Sequence, residues 1–342
     1  MFPYGYTIKR RLAKSFKELS VTRVRPALII LFILFLFILF LFIMVFPEPS
    51  QASGDESVRF FLMGDGRIHL RNAKNGREAN VNFRNPDGTL NKVALTTIDS
   101  VFGFPTEEKG EHISLRLISM LDYFSDLVAP GKVIYLDSGY RNPAYNEKLK
   151  KSGGNVARTS THIDGMAVDF YIEGVDGRKL WEIIRMENCC GVGHYGSKSV
   201  HLDAGRPRFW EAATSKVLTR ESDFNRRIYL SSEYDRYRAG EKVHLSLSSV
   251  SDFGFGIKKR ATIVKGHKDR GGDVEVASTN IESNDLAECI LIRERRVSRF
   301  IYMTLPRNLT PGTYRIHIEF CECPFKEMPS STLSNAIEVI AE

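Results

Sequence analysis

The sequence predicts an α+β domain, a small antiparallel sheet with packed helices. An all-β immunoglobulin-like sandwich follows it and one N-terminal transmembrane helix precedes it. Three observations predict this. Ala27–Phe46 is an uncharged apolar run of twenty residues, the length that spans a bilayer core. Between about residues 60 and 212, segments with a helical apolar period alternate with segments of period two. From about Ile228 only short strand-like runs remain, the texture of a sandwich.

The N-terminal end gives an address. Lys9, Arg10, Arg11, Lys14, Lys17, Arg23 and Arg25 precede the apolar run, against Glu18 alone. Cations flanking a span stay cytoplasmic. Residues 1–26 therefore read as a cytoplasmic segment and 27–46 as the anchor. The expected location is the inner membrane, single-pass, with the C-terminal bulk in the periplasm. Ser50-Gln51-Ala52 offers a cleavage site that would release a secreted form. The run is longer than the ~7–15 residues of a signal-peptide core, which favours an uncleaved anchor. The 342-residue chain carries a net charge of +7, and residues 1–26 account for +6 of it. The exported part is near neutral, so no electrostatic case for nucleic acid exists.

Residues 47–57 read as a linker bearing Pro, Ser and Gly, and 58–212 as the α+β domain. Arg59–Phe83 breaks into short strands at Gly64-Asp65-Gly66 and at Asn75-Gly76, the second a hairpin turn. Ile113–Val128 is a helix, because Ile113, Leu117, Met120, Leu121, Phe124, Leu127 and Val128 form one stripe. Pro130-Gly131 stops it. Val133–Leu136 is a buried strand ending at Asp137 and Ser138. Asn142 caps a short helix with Pro143 at its first position, and Gly153-Gly154 end it. Gly177–Glu187 is a further helix with Leu180, Ile183 and Ile184 inward.

Two segments carry chemistry. They are Ser160-Thr161-His162-Ile163-Asp164-Gly165-Met166-Ala167-Val168-Asp169 and Ser199-Val200-His201-Leu202-Asp203. As a strand, Gly165–Ile172 puts Met166, Val168, Phe170 and Ile172 on one apolar face and Asp169 on the other. Val200 and Leu202 likewise face a core, while Ser199, His201 and Asp203 face away. Neighbouring strands of this kind bring Asp169 and His201 together, and a loop before Gly165 can bend His162 back to them. Two imidazoles and a carboxylate suit a hydrolytic metal site, which needs about three protein ligands and one open position. A histidine beside an apolar run is more often a satisfied packing residue. The second His-x-Asp segment argues against that here.

The pattern Ser160-x-His162-x-x-Gly165-x-Ala167-x-Asp169, followed by Val200-His201-x-Asp203, resembles the bacterial cell-wall zinc peptidases. That family includes D-alanyl-D-alanine carboxypeptidases and murein endopeptidases, and the similarity is greatest to the murein endopeptidase K-like branch. Ser138-Gly139-Tyr140-Arg141-Asn142-Pro143 with Asn146, and Gly191-Val192-Gly193-His194-Tyr195, extend the likeness over roughly residues 60–212. The resemblance implies a hedgehog/D-Ala-D-Ala-peptidase-like zinc fold, with Zn2+ held by His162, Asp169 and His201. It implies hydrolysis of amide bonds in peptidoglycan stem peptides or cross-links.

It further implies that Arg141 faces the substrate or a developing oxyanion, a task suited to a permanently charged fork of donors. Apart from the resemblance, a surface turn residue is the default for Arg141. Ser160 either hydrogen-bonds substrate or caps a turn. One departure stands out. Several relatives carry Glu three positions before the last histidine or His two before it, where this chain has Lys198 and Ser199. Asp203 is then the candidate catalytic carboxylate, or it orients His201 as an outer partner. His194 is either a proton donor or a strand-edge histidine. Expected partners are peptidoglycan and, through one helix, the membrane.

Two readings from other classes stay open. A non-catalytic peptidoglycan-binding protein that keeps the metal site fits the missing Glu. Two histidines and a carboxylate also describe a non-haem iron oxygenase, which export disfavours for want of intracellular co-substrate.

Residues 213–226 read as a linker and 227–342 as the sandwich. Its strand-like runs include Val243–Leu247, Ala261–Val264, Val274–Ala277, Cys289–Ile292, Phe300–Leu305, Tyr314–Phe320 and Ala336–Ile340. It shows no catalytic motif, and His244, His267 and His317 read as surface or strand fillers. It binds glycan or a partner, or acts as a spacer. Of five cysteines, Cys289 is expected to pair with Cys321 or Cys323, as export allows. Adjacent Cys189 and Cys190 are expected not to bond each other. No C-x-x-C pair exists, which disfavours a cysteine metal site.

Overall fold

Seven strands form the sheet that carries the candidate residues. They are β1 (Arg67–Asn72), β2 (Glu78–Asn82), β3 (Ile134–Ser138), β4 (Ala167–Ile172), β5 (Gly191–His194), β6 (Val200–Asp203) and β7 (Arg208–Glu211). Their order is β2-β1-β3-β4-β6-β5-β7. The sheet is larger than the small antiparallel one expected, and it is mixed. β1 runs parallel to β3, and β5 to β7. Alternation within a strand marks its buried face but not its neighbours, and long crossovers create the parallel pairs. The computed structural model describes residues 58–105, 111–153, 156–215, 224–267, 272–284 and 286–341. The expected cytoplasmic segment, anchor and linker at 1–57 lie outside them, as do residues 216–223 of the linker expected at 213–226. Among the described residues no helix is long and apolar enough to cross a membrane.

Among the described residues four helices accompany the sheet: α1 (Lys92–Phe102), α2 (Leu115–Val128), α3 (Pro143–Lys151) and α4 (Gly177–Glu187). The periodicity reading does not anticipate α1. Its Val, Thr and Ile residues have weak helix propensity. Tertiary burial of Ala94, Leu95, Ile98, Val101 and Phe102 overrides that, and the ends are well capped. Asn91 accepts from the amides of Val93 and Ala94, and Gly103 closes the helix at φ 73°, a left-handed position that glycine fills without strain. Asn142 caps α3 with Pro143 following, as expected. Met166, Val168, Phe170 and Ile172 are all buried, in one core with Leu117, Leu121, Phe124 and Ile184. Asp169 is thereby left on the far face of β4.

A buried carboxyl fastens α2 to the turn before β1. Asp122 is fully buried and its Oδ2 accepts from the Gly66 amide at 3.0 Å. Asp126 Oδ2 accepts from the Asp65 amide at 2.7 Å. A Cβ on Gly64 would lie 2.5 Å from Asp126 Oδ2 and 2.6 Å from the Asp122 carboxyl carbon, so a larger residue there would displace the carboxyls. Burial pushes the Asp122 carboxyl up to about 7; the Gly66 amide and Arg84 oppose this, and Asp126 and Asp65 reinforce it. The folded state therefore keeps a proton that the unfolded chain loses near pH 4, so stability falls as pH rises from about 4 to about 7. Asp122→Asn keeps the acceptor and removes the ionisation. It is expected to stabilise the protein by on the order of 4 kcal/mol at pH 8 and by little at pH 4.5. Thermal melts at the two pH values test this, and an equal shift at both would contradict it.

The remaining strands pack around a second core that includes Leu245, Leu247, Ile263, Ile316, Ile318 and Val339. One sheet holds β8 (Tyr229–Ser232), β10 (Lys242–Ser248) and β14 (Ile301–Thr304), in the order β14-β10-β8. The other holds β9 (Arg236–Arg238), β11 (Phe255–His267), β12 (Gly272–Asn280), β15 (Gly312–Glu322) and β17 (Ile337–Ile340), in the order β12-β11-β15-β17-β9. β13 (Cys289–Ile292) adds to β11, and β16 (Ser331–Leu333) to β15. Cys289 bonds Cys321 across β11, and Cys323 is free and exposed. Gly256 lies beneath that bridge, where a Cβ would meet Cys289 Sγ at 2.6 Å. Cys189 and Cys190 are joined to each other, contrary to expectation. The left-handed Asn188 ends α4 just before them.

The two cores belong to one compact unit, Asp55–Glu342. The first described residues lie on the second lobe. The Arg59 carbonyl accepts from the amides of Asp235 and Arg236, and the Phe60 ring lies 5.4 Å from that of Tyr234. From α2, Arg116 pairs with Asp235 at 2.5 Å. Polar contacts therefore stitch the lobes along a seam.

Candidate metal centre

Strand register brings the site together. Asp169 on β4 lies directly opposite His201 on β6, and Gly193 on β5 lies opposite His201 from the other side. His201 Nδ1 is 2.9 Å from Asp169 Oδ1. His162 arrives from the turn before β4 and places Nε2 3.3 Å from the same oxygen. Ligand atoms of His162, Asp169 and His201 all lie within 4.8 Å of one another, and all three residues are buried.

The local sequence builds that turn. The Ser160 hydroxyl accepts from the His162 amide at 3.3 Å, which is the turn-cap alternative for Ser160. The Ile163 amide donates to the Ser160 carbonyl at 3.0 Å and the Met166 amide to the Thr161 carbonyl at 3.0 Å. Gly165 sits at φ 66°, where a side chain would also strike Phe104.

Each imidazole is oriented by a partner on its other nitrogen. His162 Nδ1 donates to the Gly139 carbonyl at 2.7 Å. That leaves Nε2 with its lone pair toward Asp169, and this buried atom has no hydrogen-bond partner. An orphaned acceptor in a dry site is costly, and a bound cation removes that cost. His201 Nε2 is 2.8 Å from Asp203 Oδ2, so its Nδ1 is the atom available toward Asp169. Two neutral imidazole nitrogens and one carboxylate oxygen converging in this way fit a divalent metal.

Charge in the site is tightly arranged. Burial alone pushes the Asp169 carboxyl up; His162 and His201 outweigh it and hold the group well below the usual carboxylate range. Burial lowers His162. It also opposes protonation of His201, yet hydrogen bonds to Asp169 and Asp203 raise that group overall. The site thus favours a positive charge between His201 and Asp169, supplied by a proton or by a metal.

Asp203 is fully buried and saturated. Oδ1 accepts from the Gly205 amide at 2.9 Å and from Arg208 at 3.0 Å, and Oδ2 contacts His201 and a second Arg208 nitrogen at 2.5 Å. Burial raises this carboxyl, and Arg208 and His201 bring it far below its ordinary value. Arg141 donates to Asp169 Oδ2 at 2.6 Å and to the Ser138 hydroxyl at 2.9 Å, so it lies beside the His162–Asp169–His201 cluster rather than on an open turn.

Three considered residues stand elsewhere. His194 Nε2 contacts the Ser197 carbonyl at 3.1 Å and its ring lies 6.1 Å from that of Trp181. Lys198 Nζ sits 3.4 Å over the Tyr171 ring. The Ser199 hydroxyl donates to Asp137. Two residues without an assigned role from the sequence join the site. The Tyr195 hydroxyl donates to Asp169 Oδ1 at 2.8 Å. Trp210 lies 5.7 Å from the His201 ring and fills the space over Gly193, where a Cβ would collide with the indole. The Gly-x-Gly-x-Tyr spacing at β5 accompanies Tyr195, whereas nothing local marks Trp210, which stands on the neighbouring β7.

The family model for peptidoglycan L,D-endopeptidase MepK matches residues 64–210. Peptidoglycan L,D-endopeptidase MepK of Escherichia coli is 30% identical over 144 residues, covering 42% of this chain and 79% of that protein. The chain belongs to the MepK family. The probable peptidoglycan L,D-endopeptidase MepK of Haemophilus influenzae is 35% identical over 74 residues, covering 21% of this chain and 40% of that protein. The MepK match contains all of the candidate residues above and ends before the second lobe. Among solved structures, a superoxide reductase (neelaredoxin) from Ignicoccus hospitalis reaches a TM-score of only 0.18 at 9% identity. It covers 33% of this chain and 80% of that chain and carries no argument.

Proposed function

We propose that this protein is a zinc-dependent peptidoglycan peptidase, an L,D-endopeptidase like its MepK relatives. The observation that carries the metal part is the orphaned Nε2 of His162, buried and aimed at Asp169 beside His201. His162, Asp169 and His201 would hold the zinc. When bound, zinc supplies Lewis-acid polarisation of a scissile carbonyl and acidifies water.

The chain's own residues do the rest. Gly139 and Asp203 set the tautomers of His162 and His201 through the nitrogens that face away from the ligand cluster. Arg141 offsets the charge of Asp169 on its outer oxygen and stands where a guanidinium can bind substrate or a developing oxyanion. The saturated contacts of Asp203 suit orientation of His201 more than proton abstraction. The Tyr195 hydroxyl, just after β5, adds a polar group on Asp169 to the site. We further read the second lobe as immunoglobulin-like, and Ala27–Phe46 as an anchor holding the enzyme on the periplasmic side of the inner membrane.

The test is digestion of purified sacculi by the full-length chain in detergent with zinc, read by mass spectrometry of the soluble muropeptides. Opened stem-peptide amides are expected, together with their loss in His162→Ala and after chelation. Binding to sacculi without release would support a non-catalytic wall binder instead. Iron in place of zinc in the purified protein would support an oxygenase.

A further inference from the structure

The segment Arg293-Glu294-Arg295-Arg296-Val297-Ser298-Arg299 belongs to the second lobe, beyond the span matched to MepK. It joins β13 to β14 and ends in a 3-10 turn at Val297–Arg299. Its arginines reach into the first lobe. Arg295 donates from Nε to Asp164 Oδ1 at 3.0 Å and from Nη2 to Asp164 Oδ2 at 2.9 Å. The same Nη2 reaches the Ser160 carbonyl at 3.2 Å. Arg299 donates to the Asp164 carbonyl at 2.9 Å and to Glu111 at 2.6 Å. Arg296 takes the other Glu111 oxygen at 2.6 Å.

Ser160 and Asp164 bracket His162 in the sequence, two residues to either side. Asp169 and His201 stand on paired strands that hold them in register. His162 stands on an irregular turn with no strand partner of its own. The Arg295–Asp164 pair is bidentate, which fixes direction as well as distance. The two side chains are only 12% and 3% exposed, so solvent screens the pair little. The turn is therefore held from the other lobe as well as by the hydrogen bonds of its own lobe.

We propose that Arg295 is a positioning residue for the metal ligand His162, and that the sandwich is thereby a structural part of the metal centre rather than a spacer. This rests on the zinc reading of the site given above. Outer partners of metal ligands typically change affinity by about 10–100-fold, and a guanidinium fork is not replaced by an ammonium.

The experiment uses the full-length chain with Arg295→Gln, Arg295→Lys and, as an exposed control in the same lobe, Arg307→Gln. Zinc affinity is measured by competition with a chromophoric chelator, and the Co2+-loaded proteins are compared by visible absorption. Arg295→Gln is expected to weaken zinc binding by up to about 10-fold, the low end for partners that touch a ligand directly, and to alter the Co2+ spectrum, with Arg307→Gln at parent values. Arg295→Lys keeps the charge against Asp164, so it stays folded if the Gln variant does not. It is expected to show a smaller loss and the same spectral change. Parent affinity and a parent Co2+ spectrum in the folded Arg295 variants would overturn this inference alone. Failure of the parent chain to bind zinc would overturn the reading of the site, and this inference with it.

Discussion

Asp169→Asn is expected to abolish both zinc binding and muropeptide release in a protein that still folds. Asp169 is the hub of the site. Its Oδ1 meets His201, His162 and the Tyr195 hydroxyl, and its Oδ2 meets Arg141. An amide keeps the shape and one acceptor, so the sheet has no cavity to collapse into. It loses the negative charge that a divalent cation needs, and it leaves Arg141 without its counter-charge. The loss of affinity should exceed the ~10–100-fold typical of outer partners, because a ligand itself is removed. Asp169→Ala should additionally lower stability by about 3–5 kcal/mol, the usual result of breaking a buried pair from one side. Metal content by mass spectrometry, and the rise in Tm on adding zinc, read the first effect directly. A zinc-dependent rise in Tm that survives in Asp169→Asn would rule out its role as a ligand.

Asp203→Asn is expected to weaken zinc binding about 10–100-fold while activity returns at saturating zinc. The reason is geometric. Both Asp203 oxygens are engaged by His201, Arg208 and the Gly205 amide, and the residue is fully buried. Its effect on the metal must pass through His201. A carboxylate acting as general base would give the opposite split, with kcat lowered and zinc affinity unchanged. Titrating activity against free zinc for the parent and Asp203→Asn separates the two. Arg208 would lose its charge partner in the variant, so a fall in Tm is expected alongside.

Much of the site was legible before any coordinates. Alternation placed Asp169 and His201 on the non-core faces of two strands because Met166, Val168, Phe170, Val200 and Leu202 must be buried, and a period of two allows no other assignment. The capped start of α3 was legible for a similar reason, since Asn142 and Pro143 act through their own backbone neighbours. Helix α1 was not read because its β-branched residues speak against a helix locally, and only its burial against the sheet decides the matter. The vicinal pairing of Cys189 and Cys190 was missed because the expectation rested on the Cα separation that disulfides usually adopt. Tyr195 and Trp210 escaped because their roles depend on β5 lying between β6 and β7, and no period within one segment reports neighbours.

The sequence by itself determined which side chains point away from the core and which residue types could share a metal, because those follow from local periodicity and chemistry. Only the tertiary structure decided that Asp203 turns inward to His201 and Arg208, that Arg141 grips Asp169, and that Arg295 reaches across to hold the turn of His162. Each of these joins residues through strand order or lobe docking, and such contacts depend on distances in space that no spacing along the chain encodes.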